Sequence, residues 1–218
     1  MKKWRTLNQI VNQKIVAVLR GTSPEQVEVF ADKCIAGGIK AIEVTFTVPK
    51  ALQAIEALAD KYQGEEDVVI GAGTVLDAET ARLAILAGAQ FVVTPYLNED
   101  VIRMCHRYQV PVMPGAMTIK DVVAGLECGA DIIKLFPGEI GGPGMISAIK
   151  GPVPQANVMP TGGVTLGNLS AWFSAGAIAV GIGSDLTKEA LQTGNWDVIT
   201  EKAAAYRSKL SSTPTSIG

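Results

Sequence analysis

Residues 14–46 read KIVAVLRGTSPEQVEVFADKCIAGGIKAIEVTF. A β-branched run, KIVAVLR (14–20), leads into a segment of helical period, SPEQVEVFADKCIAGG, and then into a second apolar run, KAIEVTF (40–46). Ser23-Pro24 is a helix start, because a serine oxygen caps free N–H groups and proline brings none of its own. Gly37-Gly38 is a stop, since glycine readily takes the left-handed turn that closes a helix. The stretch therefore predicts strand, helix, strand. Its strands are apolar almost throughout rather than alternating, as in parallel sheets covered on both faces.

The same texture runs along the chain. Further strand-like runs are VVIGAGT (68–74), QFVVTP (90–95), PVMPGA (111–116), DIIKLFP (131–137), NVMPTGG (157–163) and AIAVGIGS (177–184). Asp77, Asn98 and Thr118 cap the intervening helices, and Gly88, Gly129 and Gly176 close them. Strand ends fall at Arg20, Thr45, Thr74, Pro95, Pro114, Phe136, Thr161 and Ser184, in steps of 19 to 29 residues. Eight such units predict an α/β fold, a single (β/α)8 TIM barrel with its helices outside. A doubly wound open sheet would need a glycine-rich dinucleotide turn after the first strand, and LRGTSPE is not GxGxxG. One domain over 1–218 is expected, with a short N-terminal lead-in helix at 1–13 and a flexible tail at 211–218.

Composition narrows the function. The 218 residues are 48% hydrophobic and 18% charged, enough for a large core and too apolar for a disordered chain. Nineteen basic and 21 acidic residues form no basic run, so no nucleic-acid partner is expected. No apolar stretch reaches the ~20 residues needed to cross a bilayer, and the N-terminus lacks the pattern of a secretory signal. A cytoplasmic protein without membrane attachment is expected. Cys34, Cys105 and Cys128 are too scattered for a disulfide framework or a metal knuckle. His106 is the only histidine. A histidine-rich metal site is excluded, and His106 reads as a helix-surface residue.

In a βα barrel the chemistry sits where the strands end. Side chains alternate along a strand, so Glu43, Thr45 and Thr47 share one face of the second strand. An acid in such an apolar run is costly unless paired or used. On the sixth strand Lys134 lies between Ile132-Ile133 and Leu135-Phe136, and lysine is almost never fully buried unless paired. An amine out of water gives up its proton more readily and can attack a carbonyl to form a Schiff base. A purely structural Lys134–Glu43 pair is the alternative, but buried pairs stabilise poorly compared with apolar residues of the same size. Gly162, Gly163, Gly183 and Ser184 end the last two strands, where loops often cradle a phosphate.

These residues carry a resemblance. EVTF (43–46), GAGTV (71–75), TP (94–95), PG (114–115), KLFP (134–137), PTGGV (160–164) and GIGS (181–184) resemble, in order and spacing, the KDPG/KHG aldolase family. The resemblance implies a class I aldolase that splits 2-keto-3-deoxy-6-phosphogluconate into pyruvate and glyceraldehyde 3-phosphate, with no metal or other cofactor. It implies that Lys134 is the Schiff-base lysine and Glu43 the acid/base. Thr74 then helps to hold the substrate carboxylate, and Pro95, Phe136 and Thr161 contact the substrate. Gly162, Gly163, Gly183 and Ser184 hold its phosphate. Thr161 is similar to the threonine of the gluconate-type enzymes, where galactonate-type relatives carry an apolar residue.

The family often has an arginine four residues after the glutamate, where this chain has Thr47. Arg20 fits a branch with an arginine at the end of strand one. Its guanidinium would hold the carboxylate beside Thr47, or orient Glu43; otherwise it is a surface arginine. Enzymatic alternatives are cleavage of 4-hydroxy-2-oxoglutarate or of a related 2-keto-3-deoxy-phosphosugar. The non-enzymatic one is a catalytically silent phosphate-binding barrel. The resemblance also implies a homotrimer.

Overall fold

The computed structural model of the chain describes residues 2–211. Helix α1 (Lys2–Gln13) precedes β1 (Ile15–Leu19), α2 (Pro24–Ala36), β2 (Ala41–Thr45), α3 (Ala51–Lys61), β3 (Val69–Gly73), α4 (Ala78–Leu86), β4 (Val92–Val93) and α5 (Glu99–Arg107). There follow β5 (Val112–Met113), β6 (Gly115–Ala116), α6 (Ile119–Glu127), β7 (Ile133–Leu135), α7 (Gly138–Lys150), β8 (Val158–Pro160), α8 (Leu169–Ser174), β9 (Val180–Ile182), α9 (Ser184–Thr193) and α10 (Asp197–Ser211).

All strand pairings are parallel. They run β5-β4-β3-β2-β1-β9 in one sheet and β6-β7-β8 in the other. The bridges Val158↔Ala177 and Thr161↔Gly181 join β8 to the β9 side, while β5 passes into β6 through Pro114. The circuit is closed, and the fold is the expected parallel barrel.

Three details differ from the sequence reading. The run 111–116 is two short strands rather than one, because Pro114 has no N–H to give the ladder. Its carbonyl still accepts from the Lys134 amide at 2.9 Å, which keeps the seam together. Two helices, not one, follow the last strand. Gly194, at φ 74°, ends α9, and α10 then packs on α2, with Phe30 and Trp196 ring centroids 5.3 Å apart. Ser211 is the last residue of α10, not the first of a tail; residues 212–218 lie outside the described residues.

Local chemistry sets the boundaries. Ser23 caps α2 by accepting from the Gln26 amide, Asp77 caps α4, and Asn98 accepts from two amides of α5. Thr118 and Asp121 form a reciprocal capping box at α6.

Alternation then sorts the strand residues into two layers. Ile15, Ala17, Leu19, Ile42 and Val44 face outward into the main core under the helices. Val16, Ala41, Val69, Phe91, Val93, Met113, Ile132, Met159 and Ala179 face inward and fill the floor of the barrel, where Leu7 and Ile10 of α1 close it. This alternation places Glu43 above Ala41 and Lys134 above Ile132, on the inner face and nearer the C-terminal mouth. Among the described residues no helix is long and apolar enough to cross a membrane.

Candidate active site

Glu43 and Lys134 meet inside the barrel. Lys134 Nζ lies 3.9 Å from Glu43 Oε1, and the residues are 3% and 0% exposed. Neither carboxyl oxygen of Glu43 accepts a hydrogen bond from another described residue. A buried carboxylate so thinly satisfied is costly. The Lys134 ammonium also lies 4.9 Å from the centroid of the Phe136 ring. No other lysine is comparable: Lys40 is at the far end of the barrel paired with Asp67, and Lys50, Lys120 and Lys188 open helices at its rim.

Space for the pair comes from glycines on neighbouring strands. Register sets Glu43 beside Gly71, and Thr45 beside Gly73. A Cβ on Gly73 would overlap the Glu43 carboxyl group, and one on Gly181 would overlap the Thr161 hydroxyl. The GAGT stretch (71–74) thus makes room for the Glu43 carboxyl group. Gly73→Ala is expected to displace Glu43 and to lower kcat by about a hundredfold, the low end of what a positioned acid/base contributes. A crystal structure of the variant with Glu43 in place, or a kcat close to wild type, would show that the space is not needed.

The remaining predicted residues lie at or just beyond the ends of the strands. Thr161 is buried, and its Oγ1 has no hydrogen-bond partner among the described residues. Thr74, at φ 56°, is half-buried just beyond β3, and Pro95 is half-buried beyond β4. Thr47 is exposed in the turn after β2, not on the strand itself, but its Oγ1 lies 2.7 Å from Oγ1 of the buried Thr45. Arg20 is exposed just past β1, with Nη1 3.7 Å from where a Cβ on Gly183 would stand. It has no hydrogen-bond or ion-pair partner among the described residues. This puts Arg20 beside the turn that opens α9, where Ser184 is the first helical residue. The free amides of a helix start favour an anion there.

The other glycine turn is held more firmly than its sequence suggests. Asn168 donates from Nδ2 to the Gly163 carbonyl at 2.8 Å, and its Oδ1 accepts from the Thr165 amide and from Trp172 Nε1. Gly138 N–H donates to the Thr161 carbonyl at 2.8 Å. A Cβ on Gly163 would lie 2.7 Å from Glu139 Cβ, so a side chain there would disturb the packing of α7 as well as any phosphate. Thr94 is a similar brace: its hydroxyl accepts from the Gly115 amide at 3.2 Å and donates to the Tyr96 carbonyl. Sequence reasoning missed Asn168 and Thr94 as supports, although Thr94 sits in the TP motif.

The other reactive side chains lie elsewhere. Burial pushes the Cys34 and Cys105 thiols up to about 12, which removes them as nucleophiles. His106 is half-buried rather than on the helix surface, with Nε2 unpartnered and its ring close to Gly129. Burial, and then the charge of Lys3 on α1, lowers its pKa. Among the described residues no group of His, Cys, Asp or Glu is arranged to hold a metal ion.

Residues 7–202 match the family described as KDPG and KHG aldolase. The 2-dehydro-3-deoxy-6-phosphogalactonate aldolase of Escherichia coli K12 is 37% identical over 173 residues, 79% of this chain and 83% of that protein. The 2-dehydro-3-deoxy-phosphogluconate aldolase of Haemophilus influenzae is 36% identical over 200 residues, 89% of this chain and 93% of that one. Among solved structures, the KDPG aldolase of Legionella pneumophila, with pyruvate captured as a covalent carbinolamine, superposes with a TM-score of 0.83. It is 30% identical and covers 91% of this chain and 96% of its own. With a buried lysine and carboxylate together inside a closed parallel barrel, and with relatives matched over most of their lengths, the chain belongs to the KDPG and KHG aldolase family of carbon–carbon lyases.

Proposed function

We propose that this aldolase cleaves 2-keto-3-deoxy-6-phosphogluconate through a Schiff base on Lys134. The observation that carries the reading is the isolated Lys134–Glu43 pair, 3.9 Å apart and out of solvent. Lys134 attacks the C2 carbonyl, and loss of water gives a protonated imine. Glu43 takes the C4 hydroxyl proton while the C3–C4 bond breaks, and the imine accepts that electron pair as an enamine. Glyceraldehyde 3-phosphate leaves. The enamine is protonated at C3 and hydrolysed, which releases pyruvate and restores the lysine. No step needs a metal or cofactor, because the iminium is the electron sink.

Two features support the phosphogluconate as substrate. Thr161 offers a buried hydroxyl with no hydrogen-bond partner among the described residues, ready for a substrate hydroxyl, and it resembles the threonine of the gluconate-type enzymes. Arg20, beside Gly183 and the start of α9 and unpaired among the described residues, suits the phosphate better than the C1 carboxylate. Thr74 and backbone amides are left to hold that carboxylate. Arg20→Ala removes a charge-assisted contact of about 1.5–3 kcal/mol, so kcat/KM for the phosphorylated substrate should fall roughly ten- to a hundredfold. The loss for 4-hydroxy-2-oxoglutarate should be much smaller. Equal losses for both would return Arg20 to the shared pyruvoyl half.

A homotrimer in the cytoplasm completes the proposal. Met117, Ile119, Val123 and Ile140 are exposed apolar side chains around the α6 and α7 starts, suited to a subunit contact. All three cysteines are free, as a reducing compartment would keep them. Light scattering should give about three times the 22.9 kDa chain mass.

A further inference from the structure

Asp185 is an acid beside the turn proposed to hold the phosphate. It is the second residue of α9, directly after Ser184 and two beyond Gly183. A carboxylate in the first turn of a helix ordinarily bends back toward the free amides there, where it would compete with a bound anion and repel it. Here Tyr206 holds it instead. The Tyr206 hydroxyl donates to Asp185 Oδ2 at 2.5 Å. Tyr206 comes from α10, which packs along α9; it is fully buried in the outer core under the helices, not in the inner layer of the barrel. Burial, and then the Asp185 carboxylate, raise the phenol pKa, so the hydroxyl keeps its proton and goes on donating. Lys202, one turn earlier on α10, holds the same residue by its backbone. Its Nζ donates to the Asp185 carbonyl at 3.1 Å and pairs with Glu189 Oε2 at 3.1 Å. Gly183, at the N-cap of α9, brings no side chain to its amides.

We infer that Tyr206, with Lys202 beside it, holds the Asp185 charge outward and so keeps the start of α9 open to the phosphate of the substrate. The inference rests on the aldolase reading above and on its placing of the phosphate beside Gly183 and Ser184. The two sides of this turn then carry opposite charge. Arg20 stands on one, with Nη1 3.7 Å from where a Cβ on Gly183 would be, and Asp185 is drawn away on the other into contact with α10. This gives α10 a use that closing the barrel does not require. Tyr206 is a positioning residue acting through Asp185. A substrate without a phosphate gains nothing from it, so its effect is one of specificity.

The test reads the ratio of kcat/KM for the phosphogluconate to that for 4-hydroxy-2-oxoglutarate, which does not depend on the fraction of enzyme folded. Tyr206→Phe leaves the ring in the core and removes only the hydroxyl, which frees the Asp185 carboxylate to turn toward the α9 amides. The ratio should fall about three- to tenfold, as for one charge at a helix start acting on a phosphate dianion, and the loss should lie in KM for the phosphorylated substrate. Adding Asp185→Asn to that variant removes the charge and should bring the ratio back to within about twofold of wild type. An unchanged ratio in Tyr206→Phe, or a fall that Asp185→Asn does not rescue, would overturn the inference. The wild-type enzyme separates the two levels. A wild type that prefers the phosphorylated substrate, with a ratio unmoved by Tyr206→Phe, sinks only the role of Tyr206. A wild type without that preference sinks the phosphate placement beneath it as well, and one that borohydride fails to trap with pyruvate sinks the aldolase reading.

Discussion

Lys134→Met is expected to bring aldol cleavage down to the uncatalysed background and to abolish imine formation with pyruvate. The nitrogen proposed to become covalent is gone, and among the described residues no second lysine is buried to replace it. The same change should destabilise the protein, because Glu43, fully buried, loses the one cation that pairs with it among the described residues. Breaking a buried pair from one side costs about 3–5 kcal/mol. Removing the carboxylate as well, in Lys134→Met/Glu43→Leu, should recover most of that stability and none of the activity. Thermal melts and turnover assays on the single and double variants check both parts. A double variant no more stable than Lys134→Met would mean that the pair is kept for stability after all.

Glu43→Gln should lower kcat by about 10²–10⁴ while retaining slow imine formation at Lys134. Glutamine keeps the shape that Gly73 accommodates but cannot take the C4 hydroxyl proton. The loss should appear mainly in kcat, since the proton moves in the transition state. Single-turnover measurements on the phosphorylated substrate check this. A loss below tenfold would assign the proton transfer to another group, with Thr161, buried and unpartnered among the described residues, as a candidate.

Much of this was legible in the sequence, for identifiable physical reasons. Strands apolar on both faces, capped helices and closing glycines each depend on nearby residues, so they predicted the barrel closely. The pair was legible because a lysine and a glutamate stood where burial forbids them unless they are used. What escaped depends on contacts far apart in the chain. Asn168 braces the Gly163 turn through its own side chain, and nothing in VTLGNLS announces it. Gly73 and Gly181 stood out only as parts of the GAGTV and GIGS motifs, yet their neighbours are the side chains of Glu43 and Thr161 on adjacent strands. Arg20 could be placed at the mouth but not turned toward Gly183, because a long side chain's direction is set by packing across the barrel rather than by its own strand. The Thr45 hydroxyl donates to the Leu19 carbonyl, 26 residues away in the sequence. The helix α10 lay outside the eightfold count that a barrel requires.

The central claim is that Lys134 becomes covalently attached to the substrate. Reduction with borohydride in the presence of pyruvate, followed by peptide mass mapping, tests it most directly. Inactivation and one reduced pyruvate adduct, on the peptide containing Lys134, are expected. An adduct on any other lysine, or full activity after reduction under turnover conditions, would contradict it.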